Sequence, residues 1–238
     1  MLTQVFWGLV KTMILGALYA GSSALQPLTL SQAITFIWLS QSALTLLPWD
    51  ADPEIEELIQ NGNVSYALTQ PLDLYWNWFF RSFSYRGIPT VMQSIPMLLT
   101  AKLFFGLSSP ISWEAGVTFA CSLGLAMLLS AAMTTIVAIS YFWTISGEGI
   151  KRLLPHFTLL FSGMIFPLPL FPDWMQPFLN VQPLRGLIDI PSRIYTGIIP
   201  QKEVIFYFGL QLLWFLVFVA WGRWLVKRAL RRIEIQGG

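Results

Sequence analysis

A chain of 238 residues with 55% hydrophobic and 11% charged side chains lacks the charge to clothe a water-facing surface, since soluble domains carry about a quarter charged residues. Its mean hydropathy of +0.62 points to a lipid bilayer as solvent and excludes an ordinary soluble enzyme. The net charge of +2 is no nucleic-acid signal, because the basic residues gather where membrane topology wants them.

Six apolar stretches, at 5–21, 33–49, 88–107, 115–143, 154–171 and 204–226, are separated by short polar connectors. Most reach the length at which a helix crosses about 30 Å of hydrocarbon. Barrel strands would alternate apolar and polar residues, whereas the run from Trp214 to Trp221 is apolar on every side. The expectation is an all-α membrane protein with six transmembrane helices in a single domain, 1–238. The first stretch ends in small residues near Ala17 and Ala20 but lacks the basic leader of a signal peptide, so it reads as a span. Lys11 near its middle either lines a path or subunit interface, or snorkels to the inner surface. Gln41, between Ser40 and Ser42, puts hydrogen-bonding groups at depth, where bonds between helices are favoured over substrate contacts.

The connector at 50–86 opens with a helix start. Asp52 can cap, Pro53 fits the first turn, and Glu54, Glu56 and Glu57 suit the positive helix end. Ile55, Leu58 and Ile59 share one face, and Asn61-Gly62 supplies a stop. Three acids are unfavourable beside an anionic leaflet, so this short amphipathic helix, residues 54–60, is expected to meet a protein partner. The aromatic cluster Tyr75, Trp76, Trp78, Phe79 and Phe80, beside Arg81 and Arg86, suits a membrane-water boundary. That segment is expected to lie along the interface before the third span.

Within the third stretch Gln93 and Ser94 offer further helix-to-helix bonds, and Lys102 snorkels near the far end. Gly116, Ala120 and Gly124 recur every four residues along the fourth, a packing ridge for close helix approach. Cys121 is the only cysteine, which excludes a disulfide within the chain. Ser146-Gly147-Glu148-Gly149 and Pro155 read as a turn. His156, the only histidine, has no nucleophile or carboxylate constellation around it. The segment 166–203 carries Pro167, Pro169, Pro172, Pro177, Pro183, Pro191 and Pro200 yet stays apolar through Trp174, Phe178, Leu187 and Ile190. Short helices that dip into the outer leaflet under protein cover satisfy both facts. Arg81, Arg86, Lys151, Arg152, Arg223, Lys227, Arg228, Arg231 and Arg232 fall on one side of this topology, against Arg185, Arg193 and Lys202 on the other. Positive charge stays in the cytoplasm, which puts both termini inside.

Glu57-Leu58-Ile59-Gln60-Asn61-Gly62-Asn63-Val64-Ser65-Tyr66-Ala67-Leu68 with Gln70-Pro71-Leu72-Asp73 resembles the cytoplasmic signature of the type-2 ABC exporter permeases. Phe171-Pro172-Asp173-Trp174-Met175-Gln176 and Gln182-Pro183-Leu184, leading to Asp189, Pro191 and Gly197, are similar to that family's outer segment, as is the terminal Gln236-Gly237-Gly238 to its carboxyl end. Nearly the whole chain is covered, most closely by the small permeases that pair with a separate ATPase. Two departures stand out. Gln70 sits where the family commonly has a basic residue, and the chain starts almost inside its first span, where relatives tend to carry a basic interfacial helix. Either that start is shortened or the helix is absent.

The resemblance implies a cytoplasmic coupling helix between spans 2 and 3 and a re-entrant outer hairpin between spans 5 and 6. It also implies a second permease copy, the same or a related chain, and two ATPase subunits that carry the ATP and magnesium. The second copy is one candidate partner for the ridge at Gly116, Ala120 and Gly124. Glu54, Ile55, Glu56, Glu57, Leu58, Ile59 and Gln60 would seat in a groove of the ATPase, with the three glutamates facing basic groups there. This chain has no G-x-x-x-x-G-K-[ST] loop: Gly147-Glu148-Gly149-Ile150-Lys151 lacks the spacing and the hydroxyl. No cofactor, metal or catalytic residue is expected on it; besides the two subunits, membrane lipid is its partner. The expected place is the bacterial inner membrane. Two other classes stay open, an ion-coupled carrier and a membrane-embedded lipid-modifying enzyme. The first would favour midplane carboxylates and the second intramembrane acids, histidines or metal ligands, and the chain is poor in both.

Overall fold

The computed structural model describes residues 2–21, 27–62, 64, 72–144 and 148–236. Asn63, Ser65 to Pro71, Ser146, Gly147 and Gly237-Gly238, which belong to motifs quoted above, lie outside the described residues. Among the described residues the regular structure is helical and no strand is present. The α-helices are α1 (Leu2–Gly21), α2 (Leu30–Ser42), α3 (Pro53–Gln60), α4 (Leu74–Phe104), α5 (Trp113–Ser140), α6 (Glu148–Phe161), α7 (Gln176–Leu179), α8 (Asp189–Tyr195) and α9 (Val204–Gln236).

Side-chain caps set where several of these begin. Thr29 and Gln32 bond reciprocally across the first turn of α2. Asp52 accepts from the Glu54 amide at 2.9 Å to open α3, Asp73 from the Trp76 amide at 3.2 Å to open α4, and Ser112 from the Ala115 amide at 3.1 Å to open α5. Each satisfies a backbone donor that the helix itself leaves unpaired.

α5 is the hub, packed against α4, α8 and α9, while α1 lies on α2. One core joins Ile55, Tyr75, Trp78 and Phe79 to Ala131, Ala138 and Ile139 of α5 and Val219 and Val226 of α9. A second gathers Phe36, Leu46, Ala126, Leu129, Leu187 and Ile188. Gly222 lets α4 and α9 meet closely: a Cβ there would stand 2.5 Å from the Tyr75 ring.

By length and composition, three helices among the described residues can cross a membrane: Leu2–Gly21, Trp113–Ser140 and the stretch Gln201–Arg231. The other three expected spans take different forms. α4 has 31 residues, about 46 Å at 1.5 Å per residue, but includes Arg81, Arg86 and Lys102. The expected interfacial segment before the third span is instead the first turns of this continuous helix. Asp73 caps it and no breaker intervenes before Pro89. α2 and α6 have 13 and 14 residues, about 20 Å each, short of a full crossing alone. α2 passes into the 3₁₀ turn Leu44–Leu46 and then an extended Leu47, the conformation that Pro48 imposes on its predecessor. α6 ends at Phe161, just before Gly163, which has a φ of 87°.

The proline-rich stretch after α6 is a succession of short elements, the 3₁₀ turns Leu168–Leu170, Asp173–Met175, Pro183–Gly186 and Gln201–Glu203 with α7 and α8 among them. Leu179, Leu187, Ile188, Ile190 and Ile194 are buried within it, and α8 packs on α2 and α5.

Candidate functional site

α3 and its cap are held to the bundle by two isoleucines and by ion pairs to Arg81 and Lys151. Ile55 is fully buried in the core formed by α4, α5 and α9, and Ile59 packs against that core. Arg81 of α4 donates through Nε to Asp52 Oδ2 at 2.7 Å and also pairs with Glu54. Partial burial opposes the Arg81 charge, but hydrogen bonds and the field from Asp52 and Glu54 outweigh it, and its pKa lies above the ordinary arginine value. On the other flank Lys151 of α6 pairs with Glu56, which also accepts from Gln60 Nε2 at 2.9 Å. One turn along α4, Arg86 donates to the Asp50 carbonyl at 2.7 Å and pairs with its carboxylate. It reaches Thr134 of α5 at 3.4 Å as well.

Glu54 and Glu56 therefore have basic partners within their own chain, on two different helices. Glu57 is exposed and engages Asn61 Nδ2 at 3.5 Å. Glu54, Glu57, Leu58 and Asn61 border one surface groove. Gly62 closes the helix with a φ of 70°, a left-handed turn that glycine adopts without strain. The outward surface is acidic with one apolar edge, Leu58, and the inward surface is aliphatic.

Of the residues expected at depth, Lys11 Nζ donates to the Met164 carbonyl at 2.7 Å, tying α1 to the turn after α6. Gln93 Nε2 donates to Gln4 Oε1, an α4 to α1 bond. Gln41 is buried, and its Nε2 has no hydrogen-bond partner among the described residues. Gly116 is half-buried against Pro110, while Ala120 and Gly124 are exposed.

A charged cluster that the sequence pattern did not single out lies in the proline-rich segment. Asp189, fully buried, accepts from Arg185 Nη2 at 3.1 Å and faces Arg193 Nη1 at 3.5 Å. Arg185 also donates to the Asn180 carbonyl and side chain at 2.7 and 2.9 Å, and its guanidinium sits 5.4 Å from the Tyr207 ring centre. The i−4 and i+4 placing of both arginines about Asp189 was the available signal. Arg81 and Lys151, the mounts of α3, were equally missed as partners, because nothing local connects them to it. No group of three or more His, Cys, Asp or Glu side chains able to hold a metal exists among the described residues.

No curated protein and no solved structure matches the chain. The family model described as ABC-2 family transporter protein matches residues 5–237. With helices fit to cross a bilayer and an acidic helix mounted at one end of the bundle, the chain belongs to the ABC-2 transporter family.

Proposed function

We propose that this chain is one half of the substrate path of an ABC exporter in a bacterial inner membrane. Family membership already makes it a multi-pass membrane permease, a transport subunit that works with ATP-binding cassette subunits and is not itself the catalyst. The finer reading has six crossings with both termini cytoplasmic, the outer segment dipping back into its leaflet, and a second permease across the path. In it, α2 and α6 complete their crossings with the irregular segments that follow them, which is tolerated where protein covers the backbone.

α3 is the coupling helix of this scheme. The observation that carries it is the division of α3 into two faces: Ile55 and Ile59 fixed in the core, Glu57, Leu58 and Asn61 turned outward. The outward face would seat on the ATPase subunit, with Glu57 against a basic group and Leu58 in an apolar notch. Glu54 and Glu56 keep α3 in place through Arg81 and Lys151 rather than reaching across.

The test is copurification of the ATPase encoded beside this chain, followed by ATP hydrolysis in reconstituted membranes. Glu57→Lys is expected to lower ATPase association several-fold and leave the thermal unfolding midpoint of the permease unchanged, because Glu57 is exposed. Equal association for Glu57→Lys and the parent chain would overturn the coupling role. Labelling of a cysteine placed at Gln60 from the outer side alone would overturn the orientation.

A further inference from the structure

α5, α6 and α9 enclose a cavity of about 390 Å³ on the same side of the bundle as α3. Ile136, Val137, Leu154, Phe218, Trp221 and Leu225 line it. Its one bordering hydroxyl, Ser140, already donates to the Val137 carbonyl. Trp221, 48% exposed, opens it to the outer surface of the bundle. An apolar hollow of this size, within the range of small-molecule pockets, would leave its lining without dispersion contacts if empty.

The wall that α9 contributes, Phe218, Trp221 and Leu225, continues at helical spacing to Arg228. Arg228 is exposed, its guanidinium 5.4 Å from the Trp224 ring centre, and it has no ion pair among the described residues. Arg231 is exposed one turn further on. The neighbouring cations are committed elsewhere: Arg223 lies 3.6 Å from Asp73, Lys227 borders a different crevice beside Tyr75, and Lys151 is paired with Glu56. Among the described residues, Arg228 is therefore the cation that the α9 wall of the cavity leads to and that no carboxylate neutralises.

We infer that this cavity holds one acyl chain of an anionic phospholipid from the cytoplasmic leaflet, with its phosphate against Arg228. The apolar wall selects the chain, and the unneutralised charge of Arg228 selects a net negative headgroup over a zwitterionic one. The inference rests on the permease reading only for which leaflet supplies the lipid.

The experiment places the full chain in bilayers containing phosphatidylglycerol, or in parallel phosphatidylcholine, with a photoactivatable diazirine on one acyl chain. Cross-linked peptides should concentrate on 150–154 and 218–225, with phosphatidylglycerol favoured about five-fold. Leu154→Trp should fill the hollow and cut labelling of α9 several-fold, and Leu225→Trp should do the same for α6. Two variants on separate helices guard against one failing to fold. Arg228→Gln should bring the two lipids to parity while labelling persists. Labelling spread evenly over α1, α4 and α9, indifferent to both tryptophans, would mean boundary lipid only and overturn the inference. So would filling variants that abolish self-association but leave labelling intact, since a second copy would then be the occupant. Labelling needs no ATPase, so a missing ATPase partner would sink the exporter reading and leave this one standing.

Discussion

Gly222 shows how a single side chain limits the approach of two helices. The Tyr75 ring occupies the space where a Cβ would sit, at 2.5 Å, with Ile136 at 3.4 Å on the other side. Gly222→Val is therefore expected to force α9 off α4, costing about 1–3 kcal/mol as overpacking does. Thermal unfolding in detergent should show the loss, and Tyr75→Ala in the same chain should recover part of it by vacating the ring. The Tyr75 hydroxyl is buried with no hydrogen-bond partner among the described residues, and burial pushes its pKa up, against a smaller opposing effect of Arg223. The ring is retained for its packing, and its proton is not available near neutral pH. Neither contact is visible in a linear pattern, because Tyr75 and Gly222 are far apart in the sequence. Asp52, Pro53 and Ile55 are the contrary case. Cap, first-turn proline and apolar period act within one helix, so α3 was legible from eight residues.

Among elements, the proline-rich segment combines short-turn backbone hydrogen bonds with a charge cluster. Asp189 is enclosed between Arg185 and Arg193, and taking the carboxylate away would leave the buried Arg185 and the partly buried Arg193 without their counter-charge. Asp189→Ala is expected to destabilise the protein by about 3–5 kcal/mol, read as a lowered unfolding midpoint and earlier proteolysis between α6 and α9. Asp189→Asn should fall between the two, since it keeps a hydrogen-bond acceptor and loses the charge. Unchanged melting for the alanine variant would show that water reaches the cluster. The stretches 33–49 and 154–171 are apolar enough to read as unbroken helices. Pro48 and Gly163 nevertheless divert the backbone, and a window average over greasy neighbours hides one conformational constraint. The stretch 88–107 was read as a span, and the helix that contains it starts earlier, at Leu74, and takes in Arg81 and Arg86.

For the whole molecule, the links between distant segments matter most. Lys151–Glu56 joins the start of α6 to α3 across 95 positions of sequence, and Lys151 also lies 5.6 Å from the Tyr141 ring centre at the end of α5. Lys151→Glu should loosen α3 and reduce transport-coupled ATP hydrolysis in the assembled complex. Adding Glu56→Lys should restore much of it, because the pair is then rebuilt with its signs exchanged. Failure of the double exchange to rescue would show that Lys151 acts through something other than Glu56. α3 is pinned at Ile55 and tied by Arg81 on one flank and by Lys151 on the other. In the proposed coupling scheme, a push on its acidic side would pass to α4 through Arg81 and to α6 through Lys151, so that one input would reach two walls of the bundle.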